Sequence, residues 1–326
     1  MNVAVLGCWH VHAKDYARSA AAHPDTTLIA AWDHDPELGQ ALAADFGIEY
    51  TDDLDALLAR DDVHAVTVTT ETTRHTEVIG KALAAGKHVF TEKLLAPTVQ
   101  ECEQLVAQAA EAGLALVVSL PRLSQGYTLA VRDVVASGEL GEVTYARVRL
   151  SHDGAVHGGN PGWLPDRFFD PAPSVGGALT DLGCHPVYLT QLLLGDDPEI
   201  VRAVYGNVTG RQVEDHAVVT LGYDTGALGV IEAGFVSDDA FTIDVHGTEG
   251  SVHYTDDGGG RLWRRRPDGA TEELTVPADS PEPFSQWVSH ASDATVAQEN
   301  LHRAVELTRL VVRSNEAASA PQGEAL

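Results

Sequence analysis

Short apolar runs of strand length alternate with stretches of helical period through the first third of the chain. Residues 3–6, 28–32, 65–69, 88–91 and 114–119 are the runs, and the third is rich in β-branched side chains. Between them, residues up to about 22, 36–46 and 75–85 read as helices. The second carries Pro36 in its first turn, and the third stops at Gly86. Val99, Cys102, Leu105, Val106 and Ala109 recur at helical spacing, and Gly113 ends that helix. Strands and helices alternating at these lengths predict an α/β domain, a doubly wound parallel sheet with crossover helices on both faces.

The pattern changes after Pro121. A helix is expected over 125–137, closed by Gly138, and a strand over 143–150. Residues 152–173 are rich in glycine and proline and show no clear period. A helix then ends near Gly195. From 200 to 276 nearly everything alternates, with runs at 218–223, 228–235, 241–246 and 251–254. That predicts a mostly antiparallel, open sheet. A last helix is expected over 295–314, with a frayed tail to Leu326. The domain boundary therefore falls near 120: a dinucleotide-binding domain over 1–120 and an α+β domain over 121–326, for substrate binding and oligomerisation.

Composition narrows the partners. The 326 residues carry a net charge of -27 and only four lysines, Lys14, Lys81, Lys87 and Lys93. Nucleic acid and anionic membranes reward clustered positive charge, so neither is expected. Arg264, Arg265 and Arg266 form one basic cluster, read as a solvated strand end. No stretch approaches the roughly 20 apolar residues of a membrane span. The N-terminus lacks a basic region ahead of an apolar run, so no signal peptide is expected. Cys8, Cys102 and Cys184 are far apart and form no disulfide framework. A cytoplasmic protein is the expectation.

A doubly wound sheet binds its ligand beyond the carboxyl ends of its strands. The first such end reads Gly7-Cys8-Trp9-His10-Val11-His12. Of the dinucleotide glycines only Gly7 is present; Trp9 and His12 stand at the other two places. Helix N-terminal amides can still hold phosphate. Asp33 ends the second strand, 26 residues after Gly7. A carboxylate there accepts from both ribose hydroxyls of NAD and repels the 2′-phosphate of NADP. His34 follows it rather than arginine, so NAD is the expected cofactor. His10, His12 and Cys8 lie across a turn with no matching ligand cluster elsewhere in the sequence, so no metal is expected.

Three further runs carry a resemblance. They are Thr70-Glu71-Thr72-Thr73-Arg74-His75, then Gly86 to Leu94 with Thr91-Glu92-Lys93, then Gly176-Gly177-Ala178-Leu179-Thr180-Asp181-Leu182-Gly183-Cys184-His185. Together with Gly247-Thr248-Glu249-Gly250, they resemble the glucose–fructose oxidoreductase, inositol dehydrogenase and rhizopine-catabolism family along essentially the whole chain. The family's Glu-Lys-Pro reads Glu92-Lys93-Leu94 here, and a residue other than proline predicts a trans bond after Lys93.

The resemblance implies hydride transfer between nicotinamide and a hydroxyl carbon of a sugar, polyol or cyclitol. It implies Lys93, Asp181 and His185 as the catalytic set. Cofactor contacts are expected from Gly7, Trp9, His10, Val11, Asp33, Thr70, His75, Glu92 and Lys93. Asp181 and His185 are four apart, and on a helix they would share a face. Pro186 suits a first turn, so that helix is expected to start near Leu182 or Gly183. Substrate contacts are expected from Arg122 and from His157, Asn160, Trp163 and Arg167 in the irregular stretch. The resemblance also implies a homodimer or homotetramer through the distal sheet. Two other readings stand beside it: an NAD-retaining hydrolase or epimerase that oxidises its sugar transiently, and a non-enzymatic NAD-binding sensor.

Overall fold

The computed structural model describes residues 1–293, 295 and 297–319. The expected frayed tail to Leu326 lies outside them beyond Ser319. Two compact units emerge: Met1–Leu120 with Pro281–Thr308, and Pro121–Ser280 with residues 309–319.

The first unit is built on β1 (Asn2–Leu6), β2 (Thr27–Trp32), β3 (Glu49–Thr51), β4 (Ala65–Val68), β5 (His88–Thr91) and β6 (Leu116–Val118). They form one parallel sheet in the order β3-β2-β1-β4-β5-β6. The order reverses direction at β1, so the loops after β1 and β4 open the crevice where such sheets take ligands. The doubly wound expectation holds. The sequence reading missed β3 and the helix Leu54–Leu58, both too short to show a period.

Residues 281–308 are the larger correction, since the sequence reading placed them in the second domain. Helix Pro283–Asp293 buries Phe284, Trp287 and Val288, which lie on one helical face, in the core of the first unit. The Phe90 ring stands 5.5 Å from Phe284 and 5.7 Å from Trp287. An apolar stripe packs where its complement lies, and chain order does not reveal that.

The second unit adds β7 (Val143–Ser151), β8 (Val156–His157), β9 (Asn160–Pro161), β10 (Ile200–Gly206), β11 (His216–Gly222), β12 (Leu228–Gly234), β13 (Asp239–Gly247), β14 (Gly250–Thr255), β15 (Arg261–Arg265) and β16 (Thr271–Leu274). Eight of these form a sheet in the order β10-β11-β12-β7-β13-β14-β15-β16, and β8 pairs with β9 alone. Every pairing in the large sheet is antiparallel except β12 with β7. Helix Cys184–Leu194 packs on β7 and β12. The opposite face leaves Ile200, Val204, Val218 and Leu228 exposed. The basic cluster does end a strand: Arg264 and Arg266 pair with Glu272 at 2.9 and 2.6 Å. Among the described residues, no helix is long and apolar enough to cross a membrane.

Candidate active site

In the first unit the loop after β1 is held tightly. Gly7 has φ +86°, and its N–H donates to the Trp32 carbonyl at 2.7 Å. A Cβ there would lie 2.4 Å from Thr70 Cγ2 and 2.7 Å from the Thr70 amide nitrogen. The glycine is thus required by its backbone conformation and by the close approach of the loop after β4. His10 N–H donates to Thr69 O at 3.0 Å, while Trp9 and Val11 are half-buried.

Asp33 lies beside this loop and is almost fully buried. Its carboxylate accepts the Cys8 N–H at 2.5 Å and the Asp35 N–H at 2.8 Å. The His34 ring stands 3.2 Å from Asp33 and 4.0 Å from Glu71. Thr70 Oγ1 and Glu71 Oε2 are buried with no hydrogen-bond partner. Buried polar atoms rarely stay unmatched, so two orphans at the carboxyl edge of the sheet mark a place for a polar ligand.

At the end of β5, Glu92 is 2% exposed. Its Oε1 accepts the Tyr16 hydroxyl at 2.5 Å and its Oε2 accepts the Lys93 amide at 2.7 Å. Burial alone would raise this carboxyl, but the charges of His10, Lys93 and His12 and the Tyr16 hydroxyl outweigh it and hold the pKa at about 2. Tyr16 in turn is raised well above its ordinary value by burial and by Glu92. The donor atoms of His10, His12 and Glu92 all lie within 4.8 Å of one another, a proximity the sequence could not show. Each Glu92 oxygen already holds a hydrogen bond, and His10 Nδ1 stands 3.7 Å away to balance the charge. The group is a compensated buried carboxylate.

This compensation has a testable sign. The folded Glu92 value lies below the unfolded one of about 4.3, so the stabilisation is complete above that pH and is lost as pH falls toward 2. It amounts to roughly 3 kcal/mol near neutrality. Glu92→Gln removes it, so the stability gap between wild type and variant in urea unfolding should narrow between pH 5 and pH 3. A gap constant over that window would contradict the assignment.

The Lys93–Leu94 bond is cis, which corrects the trans expectation. Leu94 and Leu95 are fully buried, and the Leu94 carbonyl faces His75 Nδ1 at 2.7 Å. Packing of this segment overrode the local preference. His75 places its other nitrogen 3.2 Å from the Thr70 carbonyl, so its ring lies between carbonyls of the segments after β4 and β5. Burial lowers its pKa, which suits a neutral ring donating from Nδ1 to Leu94. Lys93 itself is buried.

In the second unit, Asp181 ends the short helix Ala178–Asp181, and His185 sits in the first turn of helix Cys184–Leu194. The expected helix start is right. The two residues are not on one continuous helix, because the chain breaks at Leu182 and Gly183, where the Gly183 N–H donates to Ala178 O at 2.8 Å. A Cβ on Gly183 would lie 2.6 Å from the Leu179 carbonyl, so the break is packed too closely for a side chain.

Glu214, which no spacing pointed to, secures this segment. Its carboxylate accepts the Gly177 N–H at 3.0 Å and the Leu179 N–H at 3.0 Å, and its carbonyl accepts the Ala178 N–H at 3.0 Å. His185 Nδ1 stands 2.8 Å from the Tyr188 hydroxyl, whose oxygen also accepts the Arg122 N–H at 3.1 Å. The i, i+3 spacing of His185 and Tyr188 was a usable sequence signal. The Arg122 side chain is fixed 4.1 Å over the Phe241 ring and donates to Tyr127 at 2.9 Å.

The irregular stretch is more ordered than its sequence suggested. His152 stacks on Phe235 with ring centroids 5.1 Å apart, and Trp163 stands 4.9 Å away and 58% exposed. Burial lowers the His152 pKa against the opposing charge of Asp181. His157 pairs with Asp153, and Asn160 is exposed beside it in the β8–β9 hairpin. Arg167 lies 5.9 Å over Phe168. Arg211 clamps the stretch, donating to the Ala155 carbonyl at 3.2 Å and lying 3.8 Å over Phe169. His152, Tyr188, Arg211 and Glu214 are the residues that sequence reasoning missed.

Residues 1–120 match the profile described as oxidoreductase family, NAD-binding Rossmann fold, and residues 128–253 match the GFO/IDH/MocA C-terminal domain. A dTDP-3,4-didehydro-2,6-dideoxy-alpha-D-glucose 3-reductase of Streptomyces violaceoruber is 32% identical over 290 residues, covering 85% of this chain and 81% of that protein. This chain belongs to the GFO/IDH/MocA oxidoreductase family. Inositol 2-dehydrogenase of Rhizobium meliloti is 27% identical over 73% of the chain and 71% of its own length. Among solved structures, a variant 3-ketoreductase from Actinomadura kijaniata, in complex with TDP-benzene and NADP, superposes with a TM-score of 0.84 at 25% identity, covering 97% of each chain. GenD2 from gentamicin A biosynthesis, in complex with NAD, superposes with a TM-score of 0.82 at 26% identity, covering 98% of this chain and 94% of its own. The first unit of this oxidoreductase is its NAD(P)-binding domain.

Proposed function

We propose that this family member is an NAD-dependent dehydrogenase or reductase acting on a hydroxyl carbon of a sugar, polyol or cyclitol. The observation that carries the reading is Lys93, buried directly after β5 at the carboxyl edge of the doubly wound sheet. Relatives named as a sugar 3-reductase and an inositol dehydrogenase support the substrate class.

The residues fit a dinucleotide. Thr70 Oγ1 and Glu71 Oε2 are orphaned polar atoms suited to its hydroxyls and amides. Asp33, with Glu71 across the His34 ring, makes an acidic corner that favours NAD over the 2′-phosphate of NADP. Gly7, Trp9, His10, Val11 and Asp33 hold the dinucleotide in this reading, with Thr70, Glu92 and Lys93, and His75 steadies their loops. When bound, the nicotinamide supplies or accepts the hydride.

Lys93, Asp181 and His185 handle the hydroxyl proton and the charge that develops on oxygen. Arg122, His157, Asn160, Trp163 and Arg167 bind substrate hydroxyls and a sugar face, with His152 behind Trp163. The reading assigns no metal. It places the enzyme in the cytoplasm, as a homodimer or homotetramer through the sheet face that exposes Val204, Val218 and Leu228.

The test is direct. Purified protein with NAD and a panel of sugars and cyclitols should give rising NADH absorbance, with NADP at least about tenfold poorer in kcat/KM. Release of a leaving group without net NADH, or tight NAD binding with no turnover across the panel, would overturn the reading.

A further inference from the structure

We propose that His34 makes the choice between NAD and NADP depend on pH: its imidazole lies between two carboxylates at the end of β2, and when it takes up a proton the corner accepts a 2′-phosphate. This deepens the cofactor reading above, on which it rests, and it concerns the first unit alone.

The corner is built from two loops of one sheet. Asp33 and His34 follow β2, and Glu71 follows β4. His34 Nδ1 stands 3.2 Å from Asp33 Oδ1, and its Nε2 stands 4.0 Å from Glu71 Oε1. The ring therefore turns one nitrogen to each carboxylate. The Asp33 oxygens accept the Cys8 and Asp35 amides, which hold that carboxylate in place. Glu71 Oε2 is buried with no hydrogen-bond partner. One imidazole thus separates two carboxylates, and one of these has an oxygen left for a polar ligand.

The neighbouring titratable and charged groups hold other partners. Asp35 accepts the Glu37 amide as the cap of helix Pro36–Phe46. From β3, the Tyr50 hydroxyl donates to the Asp33 carbonyl at 3.3 Å. Burial, with Asp52, Asp33 and Asp35, raises the Tyr50 pKa, so that hydroxyl keeps its proton. After β4, Arg74 lies 5.4 Å over the Trp32 ring and stands 3.6 Å from Glu77. The His34 side chain is 48% exposed, so solvent protons reach it. Imidazole is the side chain whose charge changes between about pH 5 and pH 8.

Charge decides between the two dinucleotides, which differ only by a phosphate in place of the ribose 2′-hydroxyl. With His34 neutral, the corner presents two carboxylates, which accept from ribose hydroxyls and repel a phosphate. With His34 protonated, both ring nitrogens are donors. The imidazolium then offsets one of the two negative charges and offers a cation to the phosphate. An arginine in such a place accommodates the 2′-phosphate at every pH, and a histidine does so only in its acid form. NAD carries no charge at that position, so its own affinity should move little.

The experiment measures the dissociation constants of NAD and NADP by quenching of tryptophan fluorescence, at about pH 8 and about pH 6, in the full chain, His34→Gln and His34→Arg. The NADP phosphate titrates in the same range, and His34→Gln reports that share alone. The ratio of the NADP constant to the NAD constant should fall between the two pH values at least about fivefold further in wild type than in His34→Gln. In His34→Arg the ratio at the higher pH should lie at least about tenfold below wild type. Equal falls in wild type and His34→Gln, or a wild-type ratio in His34→Arg, overturn the proposal. Because the readout needs no substrate, it fails separately from the functional reading: a pH-dependent ratio with no turnover on any sugar sinks that reading and leaves this one standing. Affinity for neither dinucleotide overturns both.

Discussion

Lys93→Met lowers kcat by about a thousandfold and leaves NAD affinity within about tenfold of wild type. Methionine keeps the length and apolar stem of the buried lysine, so the segment after β5 should hold its packing. What it loses is the nitrogen to which the proposed function gives a part in handling the substrate's proton and charge. It also loses a cation beside Glu92, which accounts for the allowed change in cofactor affinity. Steady-state NADH absorbance gives kcat, and quenching of tryptophan fluorescence gives the NAD dissociation constant. Turnover retained within about tenfold would remove Lys93 from the chemistry.

Gly7→Ala is the larger effect on the cofactor side. At φ +86° an alanine is strained wherever it sits, and here its Cβ would lie 2.4 Å from Thr70 Cγ2 and 2.8 Å from Thr70 Cα. Those neighbours include backbone, which cannot swing aside as a long side chain would. The combined cost is about 3 kcal/mol. The loop after β1 must then shift away from Trp32 and Asp33, and it carries the amides that would face the pyrophosphate. NAD affinity should fall at least about a hundredfold, together with an earlier urea transition. Wild-type affinity in a stably folded variant would mean that this loop does not hold the dinucleotide.

Local signals located much of the candidate site. Asp33, Lys93 and His185 stand at strand ends or a helix start that the apolar pattern, the stop glycines and Pro186 placed to within a residue or two. Helix Val99–Ala112 ends on Gly113 in the left-handed conformation, as the sequence implied, and helix Pro36–Phe46 ends the same way on Gly47. Other features had no local signature. The approach of Glu92 to His10 and His12 joins positions some eighty residues apart, and Glu214 reaches the Gly177–Leu179 amides from a loop more than thirty residues on.

The chain's own pattern determined the two architectures, the strand ends where the candidate site residues stand and the family to which the chain belongs. Periodicity, turn residues and short motifs are local properties, and these conclusions need nothing more. Tertiary structure decided where residues 281–308 pack, that the Lys93–Leu94 bond is cis, which partners neutralise Glu92 and which nitrogen of His185 faces Tyr188. Each of these depends on which distant groups share a buried volume and must satisfy one another there, and a linear pattern does not encode that sharing.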